Sequence, residues 1–77
     1  MTLYERVLMV ARPFLAGQTE LFMQRQCHLH LGIPAESISI EHLPKLSWWA
    51  RVSASIVLSK EDAEALSQKI LALAALP

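Results

Sequence analysis

Trp48-Trp49-Ala50-Arg51-Val52-Ser53-Ala54-Ser55-Ile56-Val57-Leu58 is the stretch whose reading decides the fold of this 77-residue chain. Val52, Ile56 and Val57 are β-branched and would suit a strand. A lone strand leaves its backbone groups unpaired, however, and no second strand pattern stands elsewhere in the chain to pair with it. The stretch therefore reads as helix, and the chain as all-α. In helical spacing Ser47, Ala50 and Ala54 form a narrow line of small residues that lets another helix approach. Trp48 and Trp49 point about 100° apart, so they cannot share the centre of one face. Pro44 fits a first helical turn, where its missing N–H has no acceptor to lose, and the helix is placed at about 42–58.

Downstream, Ser59 with Asp62 three positions later resembles a capping box, and Glu61 suits the positive end of a helix. A helix over 60–75 follows, with Ala63, Leu66, Ile70, Leu73 and Ala74 as its core stripe and Glu64 and Gln68 facing away. Upstream, Ile33 to Ile40 reads as a connector with one helical turn at Ala35 to Ile38. A helix over 18–31 precedes it, closed by Gly32 and Pro34. Its apolar residues Leu21, Phe22, Met23, Cys27 and Leu29 cover more than half its circumference. Thr2 and Glu5 form a full capping box for a first helix over 2–15, whose Leu3, Val7, Val10 and Phe14 make one stripe opposite Glu5 and Arg12. Pro13 lacks the N–H that would bond to Met9 and must kink or end this helix, and Ala16-Gly17 supplies the break. Without internal repeat or linker, residues 1–77 form one domain, a compact four-helix bundle.

Hydrophobic residues make up 53% of the chain and charged residues only 18%, against roughly 25% charged in an average soluble domain. A body this small has little interior in which to place them, so part of its apolar surface is expected to lie against a second chain. Seven basic and seven acidic residues cancel. That balance argues against nucleic acid, which needs clustered cations, and leaves little repulsion to oppose self-association. One cysteine permits no internal disulfide and fits a reducing compartment. Leu46 to Leu58 is broken by Arg51 and is shorter than the roughly 20 residues that span a bilayer. Glu5 and Arg6 precede any apolar run, unlike a secretory signal. A cytoplasmic protein without membrane contact is the expectation.

Cys27-His28-Leu29-His30, with His42 beyond the connector, is the one constellation with possible chemistry. Cys27 and His30 could share a helix face, and thiolate with imidazole suits zinc, but the set is a ligand short of a structural site. A metal-binding or redox-sensing module using Cys27, His30 and His42 is the alternative reading; otherwise Cys27 is a small buried hydrophobe with histidines at the helix rim. No third orienting group or anion-binding glycine turn accompanies Cys27, so neither catalytic residues nor a cofactor are expected. Arg25 and Gln26 flank the apolar arc of the second helix. Either Arg25 pairs internally with a carboxylate such as Glu41, or the two residues sit at an interface and select a partner. One of Trp48 and Trp49 is expected in the core, and the other, with Tyr4 or Met9, as an exposed anchor.

The order of an amphipathic helix, a break at Gly17, then Leu21-Phe22-Met23-Gln24-Arg25 and two further amphipathic helices resembles small helical modules attached to bacterial signalling proteins such as serine/threonine kinases and cyclases. Those modules commonly have proline after the glycine, where this chain has Gln18. The resemblance implies an adaptor or regulatory role and brings no active-site residue. The expected function is thus a non-catalytic protein–protein interaction module, homodimeric, with Tyr4, Met9, Arg25, Gln26, Trp48 and Trp49 as candidate contacts.

Overall fold

The computed structural model of the chain describes residues 1–75. Helix α1, Leu3–Leu15, begins at the expected box: the Thr2 hydroxyl accepts the Glu5 N–H at 3.1 Å, and the Glu5 carboxylate accepts the Thr2 N–H at 3.0 Å. The Thr2 backbone N–H, and then its hydroxyl, hold the Glu5 carboxyl below its ordinary value. Pro13 lies inside the last turn, and the helix closes with the Ala16 N–H donating to the Arg12 carbonyl. The left-handed position at this break belongs to Ala16, at φ 50°, and not to Gly17.

The expected helix over 18–31 is built from three successive forms. A 3-10 turn, Ala16–Gln18, leads without a gap into α2, Thr19–Gln26, which widens into a π turn at Cys27–Leu31. Buried Thr19 donates its hydroxyl to the Ala16 carbonyl at 2.6 Å and ties the tight turn to the start of α2. Gly32, at φ 69°, ends the π turn with its N–H on the Cys27 carbonyl, and the Ile33 N–H reaches the same oxygen at 3.3 Å. The bundle of four comparable helices is therefore corrected to three long helices, of 13, 12 and 13 residues, with an eight-residue α2 between the first two.

The connector holds two 3-10 turns, Ala35–Ser37 as expected and a second at Ile40–His42. The second is fixed by His42, whose Nδ1 accepts the Ser39 N–H at 3.0 Å. Helix α3, Leu43–Ala54, stops short of the expected end at residue 58. Ser55 turns its hydroxyl onto the Val52 carbonyl at 2.6 Å, the kind of local bond that competes with helix continuation. Val57 and Leu58 then both donate to the Ala54 carbonyl, closing a turn over 55–58. Helix α4, Lys60–Ala72, is capped by Ser59, which accepts the Asp62 N–H at 3.1 Å. Only this half of the expected box forms, because the Asp62 side chain is a methylene shorter than Glu. The end expected at residue 75 is a 3-10 turn, Leu73–Ala75, in which Ala74 is exposed rather than core.

Helix α3 packs most extensively on α4, and α1 lies across both α4 and α2. Ser47, Ala50 and Ala54 are buried on the small-residue line, and Ala63, Leu66 and Ile70 are the buried stripe of α4. The buried stripe of α1 is Tyr4, Val7, Ala11 and Leu15, whereas Leu3, Val10 and Phe14 lie half-buried at its edge. The radius of gyration is 11.0 Å, close to the ~11.5 Å of a folded chain of this length. Among the described residues there is no strand and no helix long and apolar enough to cross a membrane.

Candidate interaction surface

Helix α3 is apolar on two sides and covered on one. Leu43, Leu46, Ala50 and Ala54 face the core. On the opposite side Trp48 and Val52, with Ile56 just past the helix end, recur every fourth residue, a spacing that keeps them in one line. They are 53%, 40% and 84% exposed, and neighbouring Val57 is 70% exposed. The turn carrying Ile56 and Val57 forms one wall of a groove of about 510 Å³, whose other walls include Phe14, Leu21, Phe22 and Arg25.

Neither tryptophan is in the core, contrary to expectation. Trp48 is exposed, with the Arg51 guanidinium 4.6 Å from its ring centre, within cation–π range. Trp49 is half-buried and stacks on His30, ring centres 3.8 Å apart and planes within 2°. Arg25 stands exposed at the groove. It does not pair with Glu41: among the described residues the one ion pair joins Arg12 and Glu20 at 3.9 Å.

Two expected surface residues belong to the interior. Gln26 is buried and accepts the Ser53 hydroxyl at 3.1 Å, joining α2 to α3. Tyr4 is buried in the α1 stripe, its hydroxyl without a hydrogen-bond partner. Burial raises this phenol above its ordinary pKa, and the neighbouring Gln24 amide offsets the rise only in part. Met9 is exposed on another part of the surface, in a shallow depression with Met1, Arg6, Val10 and Leu73. Trp48 and Arg25 are thus the expected contacts that border the α3 surface. Leu21, Val52, Ile56 and Val57 complete it, and the sequence signal for Val52 and Ile56 is their four-residue spacing from Trp48.

The cysteine and histidines do not converge. Cys27 is fully buried, and burial, with a smaller effect of Glu36, pushes its thiol from 9.0 up to about 11. A thiol so placed is the opposite of an activated nucleophile. His30 is engaged with Trp49, His42 caps its own turn, and among the described residues no three potential ligands gather to hold a metal. Comparison with protein families, curated proteins and solved structures found no match to this chain.

Proposed function

We propose that this chain is a non-catalytic module that binds another protein chain through the outer face of α3 and the groove beside it. The observation supporting this most directly is the uncovered apolar side of α3. An apolar helix face is normally turned toward a packing partner, and contiguous exposed apolar side chains mark interaction sites. Trp48 is the natural anchor, a large side chain already held by Arg51 and so losing little freedom on binding. An adaptor role in bacterial regulation and a cytoplasmic setting belong to the same proposal; the first rests on the resemblance of the helix order, the second on the free buried thiol. Self-association is one form of it, and the form that the chain alone can test. In sedimentation velocity over a rising concentration series, pairing through this surface would make wild type, but not Trp48→Ser, sediment progressively faster. A wild type that remains monomeric throughout would assign the surface to a different chain.

A further inference from the structure

The sign of charge around this surface is uneven although the chain as a whole is neutral. All seven carboxylates lie at positions 5, 20, 36, 41, 61, 62 and 64, so residues 21–35 and 42–60 contain none, while holding Arg25, Lys45, Arg51 and Lys60. These acid-free segments are the ones that build the groove wall at α2, the whole of α3 and the turn after it. Lys45 and Arg51 stand within one turn of Trp48, and Arg25 faces Ile56 and Val57 across the groove. None of the three has a carboxylate within ion-pair distance among the described residues.

We propose that the occupant of this surface is an acidic amphipathic helix of another protein. Its apolar side would lie along Trp48, Val52, Ile56 and Val57, and its carboxylates against Arg25, Lys45 and Arg51. The proposal rests on the protein-binding reading above but not on self-association. An apolar line with one residue per helical turn, continued by a groove, is the form that receives a second helix. The flanking charge decides whose helix. A two-fold pairing of α3 with its own copy would bring Lys45 and Arg51 of both chains together with no acid on α3 to offset them, and like charges across an interface select against a partner. An acidic partner converts the same cations into attraction.

The test is calorimetric titration of the full chain with a synthetic helical peptide bearing leucines on one side and glutamates beside them. Controls are the same peptide with lysine for glutamate, a scrambled peptide of equal composition, and phosphatidylserine–phosphatidylcholine vesicles. The glutamate peptide should bind, shift the backbone amide signals of Trp48 and Val52, and weaken as salt is raised. The double variant Arg25→Glu/Lys45→Glu, both exposed sites and checked by circular dichroism for an unchanged fold, should weaken binding by roughly tenfold. Equal affinity for glutamate and lysine peptides, with the Trp48 amide still shifting, would overturn the acidic partner and leave the protein-binding reading standing. Binding of the scrambled peptide as tightly as the helical one would overturn the helix. Adsorption to anionic vesicles without binding of the glutamate peptide would overturn the proposal in favour of a membrane surface. Failure of every peptide, together with a monomeric wild type, would remove both readings.

Discussion

Ala16 occupies a backbone position that normally goes to glycine, φ 50° and ψ −125°, while the glycine beside it does not use its freedom. A Cβ there costs on the order of 1–3 kcal/mol. Glycine would relieve that strain but make the unfolded chain freer, so Ala16→Gly should stabilise the fold by about 1 kcal/mol, read from the urea midpoint. Gly32 is the complementary case: it holds φ 69° with open space around it, so Gly32→Ala meets no steric neighbour and should still destabilise by about 1 kcal/mol through the backbone alone. The Tyr4 hydroxyl is buried and unpartnered. Because removing an unsatisfied polar group recovers its desolvation penalty, Tyr4→Phe should leave thermal stability unchanged or raise it. A clear loss would point to a water or amide that satisfies the hydroxyl in solution.

At the scale of elements, the helix starts were the most legible feature, because a cap is a local bond between residues three apart. Thr2 with Glu5, and Ser59 over Asp62, both formed where their spacing placed them. Ser59→Ala should therefore cost about 1 kcal/mol of stability, measured by chemical denaturation. Helix ends and registers were less legible. Nothing in the apolar pattern reveals that Ser55 will bond back to Val52, and without that bond the run to Leu58 continues to look helical. The stripe on α1 was placed one residue off because this helix packs against two neighbours, α2 and α4, and so buries a wedge of its surface rather than a single line. Gln26 stands beside the apolar arc of its helix, which marks it as needing a partner, but the partner, Ser53, lies 27 residues away and leaves no local trace. The uncovered side of α3 was only half legible: excess apolarity implied exposed surface, but which side stayed bare depended on where α4 packed.

For the whole molecule, Cys27 couples stability to pH. Its thiol ionises near 9.0 when freed and near 11 in the folded chain. Above pH ~9 the unfolded state therefore holds fewer protons than the native one, and stability falls as pH rises. The contribution is fully present below pH ~9 and lost progressively toward about 11, and the raised Tyr4 phenol acts in the same direction from about pH 10 upward. Urea midpoints followed from neutral to alkaline pH should decline less steeply for Cys27→Ala than for wild type, whatever the variant's lower starting point. A parallel decline in both would show that the thiol does not stay protonated in the native state. The two tryptophans, finally, make the molecule its own optical gauge. Trp49 lies flat against an imidazole that holds the π turn to α3, and Trp48 lies under a guanidinium on the open side. With Trp48→Phe the remaining emission follows whether those two segments stay closed, and with Trp49→Phe it follows what settles on the bare side of α3, so adjacent positions in the chain separate internal opening from external contact without any added label.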